Sequence, residues 1–172
     1  MYIVQGTITY KKSHGNGFFH TISKEGETFR FFSKHDNFSL FENCEVVLSR
    51  KNNTYFLDDF VSLEETAPLR RNPGNFIAAS WLAELAHSFT MPDQSELEFI
   101  KKCRSALMSD FDSKALDSIE SEYCTVSGFS SDEKKENLLS DYFSNSLNIR
   151  KSLLNQLKMR GNDDNSSKIG FC

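Results

Sequence analysis

What this chain lacks narrows its function first. Its four cysteines, Cys44, Cys103, Cys124 and Cys172, are scattered with no CxxC or CxC pair, which excludes a local zinc knuckle and argues against a dense disulfide framework. No apolar run approaches the ~18 residues of a membrane span. The opening MYIVQGTITY lacks the basic start, apolar block and small-residue cleavage site of a secretory signal, so a cytoplasmic protein is expected. Positive charge is not in excess either. Twenty Lys and Arg against 24 Asp and Glu give a net charge of −4, so no global field draws the protein onto nucleic acid or anionic membrane, and any such binding has to be local. Neither a GxSxG elbow nor a GxxxxGKS/T loop occurs. Asp58-Asp59 and Glu64-Glu65 are adjacent carboxylates, but neighbours in a strand point to opposite faces and do not form an acid/base pair by themselves. His14, His20, His35 and His87 show no ligand spacing. The expectation is a protein that is not an enzyme, with no cofactor, metal site, membrane contact or small-molecule substrate.

Phenylalanine, by contrast, is plentiful. The chain has 16, about twice ordinary usage if the average is ~4%. Twelve of the 22 aromatic residues, nine Phe and three Tyr, precede residue 64, so the two ends of the chain are built differently.

The first 63 residues read as short strands. Tyr2 to Thr9 is rich in β-branched residues and runs into Lys11-Lys12-Ser13-His14-Gly15-Asn16-Gly17, a polar, glycine-containing turn. Phe18 to Ile22 forms a second strand, ended at Ser23 to Gly26, where Gly26 can supply a positive φ. In Glu27 to Lys34, alternation places Phe29 and Phe31 on one face and Thr28, Arg30 and Phe32 on the other. Cys44 to Arg50 is a fourth strand. Asn52-Asn53 then turns the chain into a fifth, Thr54 to Leu63. Five strands in about sixty residues suit a small closed barrel or a sandwich.

Beyond Pro68, Pro73 and Gly74, which break regular structure, apolar residues recur at helical spacing. Phe76, Ile77, Ala79, Leu82, Leu85, Ala86 and Phe89 mark an amphipathic helix that Asn72 or Asn75 can cap. Another starts near Pro92-Asp93 and carries Leu97, Ile100, Cys103 and Leu107 on one face. Weaker helical segments span 113–123, 132–147 and 148–159. Residues 161–172 form a polar tail expected to be disordered, with Ile169 and Phe171 as its apolar exceptions. Trp81 is expected in the core, joining the helices to the strands. Charge follows the same division: residues 1–74 carry nine basic and nine acidic side chains, residues 75–145 six and thirteen. The acidic stretch Asp110, Asp112, Asp117, Glu120 and Glu122 reads as a solvated helix face. The stretch from Ser146 to Arg160 has Arg150, Lys151, Lys158 and Arg160 and no acid.

The order of these segments resembles the RecO family of bacterial recombination mediators, and so do their residues. Phe18-Phe19-His20-Thr21-Ile22-Ser23-Lys24-Glu25-Gly26-Glu27-Thr28-Phe29 is similar to the family's hydrophobic strand, Thr, acidic residue, Gly and strand. Leu40-Phe41-Glu42-Asn43-Cys44-Glu45-Val46-Val47-Leu48 through Phe56 resembles its Leu-x-Pro-Phe segment with the following hairpin. Ala79-Ser80-Trp81-Leu82-Ala83-Glu84-Leu85 resembles its Ala-x-aromatic-Leu-x-Glu-Leu helix. These cover about two-thirds of the chain. Two departures stand out. Ser33 to Ser39 is short and nearly neutral where many members carry a Lys/Arg-rich loop, and the zinc cysteine cluster is missing.

The resemblance implies an α+β chain, with an N-terminal OB-fold β-barrel at 1–70 followed by an all-α helical domain at 71–160. It also implies binding of single- and double-stranded DNA, strand annealing or recombinase loading with a RecR-like protein, and work with a single-strand-binding protein in recombinational DNA repair. An OB barrel holds a strand with stacking rings and a groove of cations. The candidate DNA-binding cations are Lys11, Lys12, Lys24, Arg30, Lys34, Arg50 and Lys51, mostly at turns and strand ends, with His14 beside them. The candidate stacking rings are Phe19, Phe32 and Tyr55. Two other readings stay open: an OB-fold adaptor with weak or no DNA binding, motivated by the missing basic loop and the acidic helices, and an RNA-binding OB protein, because stacking and phosphate contacts do not identify the sugar.

Overall fold

The computed structural model describes residues 1–24, 27–63, 67–89, 94–129 and 135–166. An N-terminal five-stranded closed barrel is followed by helices, as the resemblance implies. The strands are β1 (Tyr2–His14), β2 (Gly17–Lys24), β3 (Glu27–Ser33), β4 (Asn43–Lys51) and β5 (Thr54–Ser62). They close in the order β1-β2-β3-β5-β4, with every pairing antiparallel except β3 to β5. This is OB-type connectivity. The expected turn at Gly26 and the Glu64-Glu65 pair lie outside the described residues.

Alternation builds the interior. Val4, Ile8, Ile22, Phe31, Phe38, Cys44, Val46 and Leu48 form one buried cluster, with Phe29, Tyr55, Leu57 and Phe60 packed against it. Each fully buried aliphatic or aromatic side chain contributes about 1.5–3 kcal/mol. Strand β1 breaks the alternation once. Ile8 faces Ile22 and Tyr10 faces Thr21, so Thr9 is the extra residue of a β-bulge. Beyond it the strand continues through Lys11, Lys12, Ser13 and His14, which pair with His20, Phe19, Phe18 and Gly17. The segment expected as a turn is therefore mostly strand, and only Gly15 and Asn16 lie between β1 and β2. The Asn52-Asn53 turn is as expected, both residues having positive φ (47° and 63°), the conformation of a tight hairpin.

The chain divides into two compact units, Met1–Asp110 and Phe111–Cys172. The change from strand to helix falls near residue 70, but the first three helices, α1 (Pro68–Arg71), α2 (Phe76–His87) and α3 (Gln94–Met108), belong to the barrel's unit. Pro68 and Pro73 begin helical turns rather than only breaking them, because the first helical position needs no N–H. Trp81 is fully buried. Asn72 and Asn75 make no cap bond at the start of a helix. Their side-chain amides donate instead to the carbonyls of Leu107, Met108 and Ser109, satisfying acceptors that the end of α3 leaves open. Buried Glu42 accepts from the Ser39 amide, the Ser62 hydroxyl and Arg70, tying α1 to the barrel.

The second unit contains α4 (Ser113–Val126), α5 (Lys135–Tyr142) and α6 (Leu147–Ser166). Its acidic stretch is not one solvated face. Asp112 caps α4 by accepting from the Ala115 amide, 2.7 Å away, and Asp117 pairs with Lys135. Glu120 is 2% exposed and takes a two-pronged bond from Arg150 (2.7 and 2.9 Å). Residues 161–166 continue α6 rather than forming a disordered tail, since extending an existing helix is far easier than starting one. The expected helix starts at Pro92-Asp93 and Asp132, and the tail residues Ile169, Phe171 and Cys172, lie outside the described residues. Among the described residues, no helix is long and apolar enough to cross a membrane.

Candidate nucleic-acid interface

The outer face of the barrel carries an aromatic row. In β3, Phe31 is buried while Arg30 and Phe32 face outward, as the sequence alternation predicts. Lys12 is opposite Phe19, Phe19 is opposite Phe32, Phe32 lies beside Phe56, and Phe56 is opposite Ser49. One transverse row thus crosses all five strands' worth of curvature on β1, β2, β3, β5 and β4. The Phe19 and Phe32 rings are 5.4 Å apart, and those of Phe32 and Phe56 5.9 Å, both edge to face. This is a favoured aromatic geometry, and all three rings stay partly exposed. His14 lies 5.3 Å from Phe19.

Gly17 makes room for the centre of the row. A Cβ at that position would fall 2.4 Å from the Phe32 ring and 2.4 Å from the Ser33 carbonyl oxygen. The guanidinium of Arg30 lies 4.5 Å from the centre of Phe19, a cation–π distance. Among the described residues, Arg30 and Lys12 make no hydrogen bond or ion pair, and both are exposed. At the far end of the row the charge reverses, where Ser49 donates to exposed Asp58 at 3.0 Å.

The expected site residues separate into four groups. Lys12, Arg30, Phe19 and Phe32 come together on this face. Lys11 does not join them: it extends from the other side of β1, pairs with Asp36 at 2.9 Å and also donates to the Phe38 carbonyl. Tyr55 is not on the outer row either. It packs against the interior cluster, edge-on to Tyr2 at 5.2 Å. Arg50 stays near it, 5.8 Å from its ring centre, and donates to Asn53. Lys24, Lys34 and Lys51 are exposed at the end of β2, after β3 and at the β4–β5 turn. Phe56 is the ring that sequence reasoning missed. Its parity relative to Tyr55 was the available signal, but the parallel β3–β5 register decides between the two.

Next to the row, Tyr10 stacks on His87 with centroids 3.9 Å apart and planes within 9°. Burial, reinforced by Glu84, raises the Tyr10 pKa, and burial lowers that of His87. Inside the barrel, burial pushes the Cys44 thiol up to about 12, which leaves it protonated and unreactive. Among the described residues, no three His, Cys, Asp or Glu side chains gather as metal ligands.

No family model matches this sequence, and no curated protein matches it significantly. The functional reading therefore stands on the site. Its chemistry is that of a stacking surface with unpaired cations at one end. Such a surface holds planar rings through their faces and a phosphate backbone through charge-assisted bonds.

Proposed function

We propose that the protein is a non-enzymatic nucleic-acid-binding protein of RecO-like type, which holds DNA strands on the outer face of its barrel and mediates recombinational repair by promoting annealing or recombinase loading. The observation that carries this reading is the Lys12–Phe19–Phe32–Phe56 row with unpaired Arg30 over Phe19. Bases stack on the partly exposed rings while Lys12 and Arg30 follow the phosphates. On this reading a RecR-like protein and a single-strand-binding protein are the working partners, as the family resemblance implies. The surface has few cations, so binding is modest and salt-sensitive. Each neutralised phosphate contributes about −0.7 to the log–log salt slope on single strands and about −0.9 on duplex. Fluorescence anisotropy with labelled single strand and duplex at low and moderate salt tests it. Binding to neither, or binding that ignores salt, overturns the proposal.

One observation favours the adaptor reading. On the outward side of β1, β4 and β5, Ile3 and Val61 are 58% and 57% exposed, and Val47 lies opposite Ile3. Exposed β-branched residues gathered on one face mark a protein contact more often than a nucleic-acid one. A pull-down with purified RecR-like protein after nuclease treatment separates the readings. Capture lost on Val61→Asp, together with no direct DNA binding, selects the adaptor.

A further inference from the structure

A cavity of about 220 Å³ opens on the same outer face, lined by Thr9, Thr21, Thr28, Arg30, His87 and Glu96 among others. It is smaller than the roughly 300–1,000 Å³ of drug-sized pockets, and its volume suits a single planar ring system. Its wall is chemically specific. Glu96 is 4% exposed and accepts from the Ser23 hydroxyl at 3.3 Å. The Ser23 proton is thereby committed, so at the 3.4 Å contact between Thr9 and Ser23 the Thr9 hydroxyl is the donor. This short hydroxyl chain fixes the carboxylate at the cavity wall. Among the described residues, the hydroxyls of Thr21 and Thr28 have no hydrogen-bond partner, although Thr21 is only 8% exposed. Neither hydroxyl is a buried atom left without a partner, so both are open to solvent from the cavity they line and can meet a ligand there.

Arg30 joins this cavity to the aromatic row. It lines the one and lies over Phe19 in the other, with Thr21 as its cross-strand neighbour. We propose that the cavity takes one unpaired base of the bound strand, a base bearing an exocyclic amino group, with its amino edge donating to Glu96 and its 5′ phosphate meeting Arg30. The inference rests on the nucleic-acid reading above and deepens it by assigning a base preference. A carboxylate accepts from the amino groups of cytosine, adenine and guanine. Thymine has no amino group, and its single ring N–H lies between two carbonyl oxygens, which a carboxylate repels.

The test compares labelled oligo(dT) with the same strand carrying one central dC, dA or dG, read by anisotropy at fixed low salt. The expected result is that at least one substituted strand binds fivefold to a hundredfold more tightly than oligo(dT), and that Glu96→Gln removes this preference while leaving oligo(dT) affinity within twofold. Glu96 is buried, so a second variant guards against misfolding: Thr28→Trp at the exposed cavity rim closes the entrance and is expected to abolish the preference alone. Equal affinity for all strands overturns the cavity assignment while the row stands. Failure of every strand to bind overturns the nucleic-acid reading itself. Free dCMP, dAMP or dGMP binding in a Glu96-dependent way, with strands showing no preference, assigns the cavity to a free mononucleotide and overturns the strand proposal.

Discussion

His20 makes the stability of the barrel depend on pH in a calculable way. Its ring is fully buried, between Phe31 at 5.3 Å and Phe38 at 4.9 Å. Ser33 donates its hydroxyl proton to the His35 carbonyl, so at the 2.9 Å contact with Ser33 the His20 Nε2–H is the donor. Nδ1 is then the unprotonated nitrogen, and it has no hydrogen-bond partner. Protonation would bury a charge and a donor with nothing to accept it. Burial accordingly lowers the His20 pKa to about 4, against some opposing help from Asp36. The unfolded chain takes up this proton near pH 6.5. Folding therefore has its full His20 contribution above pH 6.5 and loses it progressively as pH falls toward 4. Between pH 8 and pH 5 the loss comes to about 2 kcal/mol, from a folded pKa near 4 and an unfolded value of about 6.5. Urea unfolding at both pH values, on the wild-type protein and on His20→Phe, reads it. The variant is expected to lose about 2 kcal/mol less than the wild type over that interval. Equal pH dependence in the two proteins refutes the reasoning, as does an NMR titration that places the His20 ring near 6.5.

Three more outcomes follow from the geometry. Phe32→Ala is expected to weaken single-strand binding about 5- to 150-fold, the loss of one base–ring stack, while Lys12→Ala and Arg30→Ala each reduce the salt slope by about 0.7; anisotropy across a salt series reads both, and unchanged values in folded variants move the site elsewhere. Gly17→Ala forces Phe32 and the Ser33 carbonyl apart and should cost about 1–3 kcal/mol, seen as a lower denaturant midpoint together with weaker strand binding; an unchanged midpoint contradicts the close approach. In the second unit, Arg150→Met leaves Glu120 buried without its guanidinium and should cost about 3–5 kcal/mol, whereas Arg150→Met with Glu120→Leu should recover most of it. Equal losses for the single and double variants would show that the pair's charge is not what matters.

Local periodicity made much of the molecule legible. The inward Phe31 and outward Arg30 and Phe32 follow from alternation in one strand, the tight turn from Asn52-Asn53, and the buried face of α3 from Ile100, Cys103 and Leu107. What stayed hidden depends on pairing across distance. Alternation says only that Tyr55 and Phe56 face opposite ways, and the parallel contact with β3 sets which of them is outward. Lys11 and Lys12 look equivalent as a pair of adjacent lysines, yet only Lys12 shares the row, because Lys11 meets Asp36. Glu120 sits among acids in the sequence and its partner is thirty residues away. The carboxamides of Asn72 and Asn75 look like caps for the helix that follows them, but serve the end of α3 instead.

The bulge at Thr9 has a consequence for how this strand tolerates change. Before it, even-numbered residues Val4 and Ile8 point into the barrel; after it, even-numbered Tyr10, Lys12 and His14 point out. One residue of length therefore inverts the parity of the second half of β1. Substitutions at Thr9 that keep the count leave this inversion in place. Deleting Thr9 would remove the bulge and leave plain alternation, with Ile8 inward, Tyr10 outward, Lys11 inward and Lys12 outward, so both halves of the strand would keep their present faces. In this strand the bulge holds one residue of slack, so in a library of single deletions loss of Thr9 should be tolerated better than loss of Lys11, which would turn Lys12 toward the apolar interior.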